Sequence, residues 1–169
     1  AGFTSVGEFH YLHQQPNGVP YADRLELAQR VGNAAECAGL RMVLLRVAYA
    51  RAGAGRSPLP EQRRFCDSDM EQVLEDLESL VSLGRFSVGL AAHSVRALSK
   101  TQLEALSSYE GVIHAHVDEQ PAEVEQCLSE YGCRPLELFA DVGMLSPSFS
   151  AVHFTHPSQE EIALLKRHH

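Results

Sequence analysis

Residues able to do chemistry fall at the ends of short apolar runs: His10 with Tyr11, His93 with Arg96, His116 with Glu119, and His153 with His156. An imidazole near neutral pH carries protons and ligates metals. A carboxylate three residues beyond one can take a proton and give it back, and the guanidinium fork of an arginine pairs with a carboxylate through two parallel hydrogen bonds. Nine histidines placed at random would seldom put one at each of four run ends. Ligand binding, metal ligation and proton transfer are the chemistry these groups suit together.

Taken singly, each has a plainer reading. A lone histidine at the end of a strand is more often a hydrogen-bonded structural residue, and His13 and His156 are read that way. His114 and His116 stand two apart, so on a strand both project to one face; either they share a metal, or His116 alone does and His114 lines the interior. Glu119 would also suit the positive end of a helix opening at Pro121, and Arg96 would also serve as a surface charge. The joint pattern favours the functional reading.

The elements that must position these residues alternate. Near-continuous apolar runs at Gly2 to Phe9, Met42 to Tyr49, Phe86 to Ala92, Val112 to Val117 and Ser150 to Thr155 predict strands covered on both faces. Between them lie helical periods. Asp23 to Ala38 carries Leu27, Val31, Ala34 and Ala35 on one face before Gly39, and Ser68 to Leu83 carries Val73, Leu74, Leu77, Leu80 and Val81 before Gly84. Ser99 with Gln102, and Ser158 with Glu161, have the spacing of capping boxes. Pro121 opens a further helix that ends near Gly132, and a short helical piece covers Pro135 to Ala140. The stretch Ala50 to Phe65, with Gly53, Gly55, Pro58 and Pro60, has no period and reads as a long loop of the kind that often carries function. Five βα cycles predict an α/β fold with a parallel sheet, whose ligands bind at the carboxyl ends of the strands.

Bulk properties narrow the partners. The 169 residues hold 22 Asp and Glu against 14 Lys and Arg, a formal net charge of −8. That excess, without a basic patch, disfavours nucleic acid and anionic membranes. The longest apolar stretch, near Met42 to Ala50, is broken by Arg46 and is far shorter than the roughly 20 residues a bilayer requires. Cys37, Cys66, Cys127 and Cys133 form no CxxC pair and are read as reduced thiols in a cytoplasmic setting. The start Ala1-Gly2-Phe3-Thr4 lacks both an initiator Met and a leader pattern. His168 and His169 read as a tag remnant or as a cut edge.

Five stretches carry a resemblance: Gly2 to His13 (GFTSVGEFHYLH), Gln62-Arg-Arg-Phe65, His93-Ser-Val-Arg-Ala97, Ile113-His-Ala-His-Val-Asp-Glu-Gln120 and Val152-His-Phe-Thr-His156. On these the chain resembles, over essentially its whole length, the amidohydrolase superfamily, and within it the branch that hydrolyses C–N bonds of linear amidines. The resemblance implies a (β/α)8 TIM barrel around one Zn2+, with residues 1–169 forming one incomplete barrel domain of about five βα units, barrel strands two to six. It implies that His116 is a metal ligand, that Glu119 and His153 are catalytic, and that Tyr11, His93 and Arg96 bind substrate. The family's other ligands, a His-x-His pair on the first strand and an Asp on the eighth, have no counterpart here, so the isolated chain is expected to be an incomplete and inactive fragment. Asp118 stands where the family carries a small residue; it either points into the barrel wall or alters the charge balance near the metal.

The implied reaction is hydrolytic deimination of N-formimidoyl-L-glutamate to N-formyl-L-glutamate and ammonia, as in histidine degradation, by a protein whose full length forms a homodimer. A zinc ion would lower the pKa of water from about 16 to about 7, Glu119 would move the proton, and Arg96 would clamp a dicarboxylate. Two other readings remain: a related deaminase acting on a purine or other aromatic amine, which needs no carboxylate clamp, and a non-catalytic fragment or binding module.

Overall fold

The computed structural model describes residues 2–168; Ala1 and His169, which the readings of both termini include, lie outside the described residues. Five strands form one sheet in chain order, every neighbouring pair parallel: β1 (Ser5–His10), β2 (Arg41–Ala48), β3 (Ser87–Ala92), β4 (Val112–Val117) and β5 (Phe149–His153). Helices α1 (Glu26–Cys37), α2 (Met70–Leu83), α3 (Lys100–Leu106), α4 (Pro121–Tyr131) and α5 (Pro135–Asp141) lie in the crossovers, and α6 (Gln159–Arg167) follows β5. The sheet curls into half of an α/β barrel.

The main core lies between the sheet and the helices. Ala48, Leu90, Ala92, Ile113, Ala115, Val117 and Phe149 meet Val73, Leu77, Leu103, Leu136 and Phe139 there. The alternate residues of the strands face the other way, and Leu45, Val47 and Ala91 pack with Phe9, Val43 and Tyr49 on the concave side. Gly89 permits the curl. A Cβ on it would stand 2.8 Å from the Leu45 side chain and 2.8 Å from the Val112 carbonyl.

All five strands and the helices appear where the sequence places them, with shifted ends. Asp23 does not open α1: its carboxylate accepts from the Leu25 N–H at 2.9 Å and from the Gln29 side chain at 2.8 Å, closing a turn ahead of the helix. β5 ends at His153 because Phe154 turns into the left-handed region at φ 47°. Ser99 and Ser158 form their capping boxes, accepting from the N–H of Gln102 and Glu161. The long loop after β2 holds one short 3-10 helix, η1 (Pro60–Gln62). It is tied down where Arg51 bonds the Val95 carbonyl and pairs with Glu130 at 2.6 Å, and where the Gln62 amide donates to the Tyr49 hydroxyl at 3.0 Å.

Arg46, an interruption in an apolar run when read as sequence, is fully buried on the helix side. Its guanidinium donates to both oxygens of Asp67, at 2.7 and 2.8 Å, and to Asp76 at 2.7 Å, while Arg24 reaches Asp76 from outside at 3.2 Å. No described helix is long and apolar enough to cross a membrane, and the four cysteines are free thiols.

Candidate active site at the strand ends

The carboxyl ends of the strands surround a hollow of about 390 Å3 lined by Tyr11, Tyr49, Ala52, His93, Arg96, His116, Glu119 and His153. All six site residues expected from sequence are therefore brought together. A larger cleft of about 870 Å3, walled by Gln14, Arg24, Asp67 and Asp69, contains none of them.

Each strand end delivers its group for a local reason. On β1, Phe9 and Tyr11 share the concave face, while His10 pairs in register with Arg46 and points to the helices. His10 is thus a correction to the pattern of four imidazoles: it lies buried, its ring edge-on to His13 at 5.3 Å, and burial followed by the charge of Arg46 lowers its pKa to about 4. His13 is structural, as expected, donating from Nε2 to the Val47 carbonyl at 2.9 Å. At the end of β3, His93 stands within 5.6 Å of Tyr11, 4.8 Å of Tyr49 and 4.7 Å of His116, ring to ring. Burial first, then the neighbouring His116 and Arg96, push the His93 pKa down to about 3, so the ring is neutral.

On β4, His114 and His116 do share one face, both half-buried. His116 reaches the hollow, its ring stacked on His153 at 5.2 Å; His114 sits farther down the strand, 6.3 Å from the Phe9 ring. The backbone carbonyl of His93 accepts from both the N–H of His116, at 2.8 Å, and its Nδ1, at 3.1 Å. This bond fixes the tautomer and leaves the Nε2 lone pair free. Burial, then His153, lower the His116 pKa, which keeps that lone pair unprotonated near neutrality. The free imidazole lone pair fits metal ligation, although among the described residues no three metal-binding side chains converge.

After Val117 the chain enters the left-handed region at Asp118, φ 51°, and at the end of β5 again at His153, φ 68°. Such angles are rare away from glycine and collect at functional sites. The turn sends consecutive side chains in opposite directions. Glu119 faces the hollow, where Arg96 donates to its carboxylate at 2.5 Å and His153 Nε2 lies 4.0 Å from its other oxygen. Partial burial raises the Glu119 pKa, but the hydrogen bond and charge of Arg96 outweigh it, and the net shift is downward.

Asp118 points away from the hollow into the wall, fully buried beside Glu161 with Arg134 3.9 Å off. Neither of its oxygens meets an N–H donor. Burial and the Glu161 carboxylate raise its pKa to about 8, so at neutral pH it holds a proton that Glu161 can accept. Of the two readings of this position, the barrel wall is the one observed. His156 is exposed, and its carbonyl accepts from Arg134 at 2.6 Å.

Tyr49 and Ala52 were not singled out from sequence. Tyr49 ends the one strand with no histidine nearby, and a search guided by imidazoles passes over it; its place at the carboxyl end of β2 was the available signal.

A half-barrel of parallel strands with imidazoles, a carboxylate and an arginine gathered at the carboxyl ends defines a hydrolase-type α/β barrel segment. The chain belongs to the amidohydrolase family, whose model matches residues 1–169. It is 35% identical over 173 residues to formimidoylglutamate deiminase of Pseudomonas aeruginosa, covering 99% of this chain and 38% of that one. It is 31% identical over 151 residues to 5-methylthioadenosine/S-adenosylhomocysteine deaminase of Teredinibacter turnerae, covering 86% and 32%. Among solved structures, an amidohydrolase from Brucella melitensis superposes with a TM-score of 0.88 at 37% identity, over 99% of this chain and 39% of that chain. Atrazine chlorohydrolase from Arthrobacter aurescens, solved with zinc and atraton, superposes with a TM-score of 0.78 at 19% identity, over 99% and 37%; at that identity it speaks to the fold alone. The chain spans less than two fifths of the length of these relatives.

Proposed function

We propose that residues 1–169 form an incomplete barrel domain carrying much of the active site of a zinc-dependent deiminase that acts on N-formimidoyl-L-glutamate. The observation that carries the reading is the convergence of Tyr11, His93, Arg96, His116, Glu119 and His153 on one hollow. The relative of known name and substrate at 35% identity supports the choice of amidine.

His116 is the residue that would hold the ion, through its free Nε2. A bound zinc supplies Lewis acidity, which lets a water ionise near neutral pH. Glu119 takes the proton of the attacking water as its oxygen bonds to the formimidoyl carbon, and the electron pair of the C=N bond moves to nitrogen. Glu119 then returns the proton to that nitrogen, passes the remaining hydroxyl proton of the tetrahedral carbon to it in a second transfer, and as the C–O bond becomes C=O the C–N bond breaks and ammonia leaves N-formyl-L-glutamate behind. His153, 4.0 Å from Glu119, steadies charge at the tetrahedral carbon. Tyr11 and the neutral His93 hold the amidine end, and Arg96 draws a substrate carboxylate. In this reading the substrate competes with Glu119 for Arg96, so binding frees the base.

The nucleoside deaminase at 31% identity favours a second reading, with the same barrel and an adenosine-type amine. Ammonia release distinguishes them. The longest coding sequence containing this segment, expressed and loaded with zinc, should release ammonia from N-formimidoyl-L-glutamate and leave 5-methylthioadenosine untouched. Turnover of the nucleoside alone would replace the first reading by the second.

A further inference from the structure

One residue beneath the hollow belongs to no part of that scheme. Glu123, in the first turn of α4, is 1% exposed although it is a carboxylate. One of its oxygens, Oε2, accepts the backbone N–H of Glu119 at 2.9 Å. The other, Oε1, is buried without a partner, and so is Nε of Arg96. Both side chains line the same small cavity, together with Val95, Gln126, Cys127 and Glu130, and its volume is about 10 Å3. A cavity holds one water when it offers roughly 10–15 Å3 and at least two polar partners. An orphaned donor on one wall and an orphaned acceptor on another meet that requirement. Glu130, one of the lining residues, pairs with Arg51 at 2.6 Å.

We propose that Glu123 is a positioning residue: it fixes the Glu119 backbone through one oxygen and, through a single buried water shared with the other, holds the Arg96 guanidinium against the Glu119 carboxylate. The two contacts act on opposite members of the Arg96–Glu119 pair, which is itself 2.5 Å long. Without them the guanidinium would have a buried N–H unpaired, and the segment leaving the strained Asp118 turn would lose its tether. The role in catalysis rests on the deiminase reading above; the structural role does not.

The test uses the chain as it stands. In 15N-edited NMR, the Arg96 Nε–H and the Glu119 N–H should both be slow to exchange. Glu123→Ala should speed exchange at both by about tenfold, the size of one lost hydrogen bond. Glu123→Gln keeps an amide oxygen for the Glu119 N–H and should restore protection there. If Glu123→Ala leaves both exchange rates unchanged in a chain that still melts cooperatively, the proposal is wrong; if Glu123→Ala fails to fold, Glu123→Gln decides it, since protection at Glu119 equal to an unfolded peptide would also overturn it. Turnover gives a separate arm. In the zinc-loaded full-length protein, Glu123→Gln should lower kcat for N-formimidoyl-L-glutamate while zinc content stays constant. No ammonia from any version, parent included, would sink the deiminase reading and leave the exchange result standing.

Discussion

At the scale of single residues, two charged groups one peptide apart have opposite fates. Glu119 is held ionised by Arg96, while Asp118 is buried beside another carboxylate and kept protonated. For Arg96→Ala the expected outcome is a KM for the dicarboxylate raised tenfold or more, the usual weight of a charged hydrogen bond being about 1.5–3 kcal/mol. Zinc content should stay as it was; equal loss of both would argue that Arg96 supports the metal centre rather than the substrate. Asp118 makes a prediction about pH. Its folded pKa of about 8 lies above the ordinary carboxylate value, so the stability it contributes is complete below about pH 4 and is lost as pH rises towards 8. Asn tolerates the left-handed backbone and cannot ionise. Asp118→Asn should therefore raise the melting temperature at pH 8 by about 2–4 °C or more, about 1 kcal/mol in a chain of this size, and do little at pH 5. The types and spacing of the site residues were open to reading from sequence. The direction of Asp118 was not, because it depends on a positive φ that nothing in the residue type demands.

At the scale of elements, the strands were legible because burial on both faces writes a continuous apolar run, and the capping boxes because Ser-x-x-Gln and Ser-x-x-Glu name their own hydrogen bonds. Ends were harder. An Asp that closes its own turn looks like a helix start, as Asp23 does, and the parity of a strand must be known before His10 can be assigned to the helix side and Tyr11 to the hollow. Parity also explains Arg46, which lies opposite His10 and pairs with Asp67 and Asp76, 21 and 30 residues later in the chain. The curl of the sheet rests on Gly89. Gly89→Ala should cost about 1–3 kcal/mol, because the new methyl meets both a side chain and a fixed carbonyl; urea unfolding of the two proteins measures it. A variant as stable as the parent would show that β2 and β4 can move apart there.

At the scale of the whole molecule, acid acts on both faces of the sheet, since His93 and His116 on the concave side are depressed by burial as well. His10 and His13 are buried and neutral on the helix side, their pKa values lowered by burial and then by Arg46. A depressed histidine stabilises the fold above its unfolded pKa near 6.5, and that stability drains away as pH falls towards about 4. Melting temperature should consequently drop between pH 6.5 and 4, and His10→Phe, which cannot be protonated, should flatten part of that slope. A slope unchanged by the substitution would place the acid sensitivity elsewhere.

The order of the sheet also bears on how the molecule comes into being. Among the described residues each strand pairs with the strands next to it in the chain, so pairing within these five can advance in chain order as they are made. The hollow has a different timetable. It draws on residues from Tyr11 to His153, and His153 belongs to the strand made last among the five. The scaffold of this segment can thus be assembled in stages, while the hollow gathers its residues only when the fifth strand is in place.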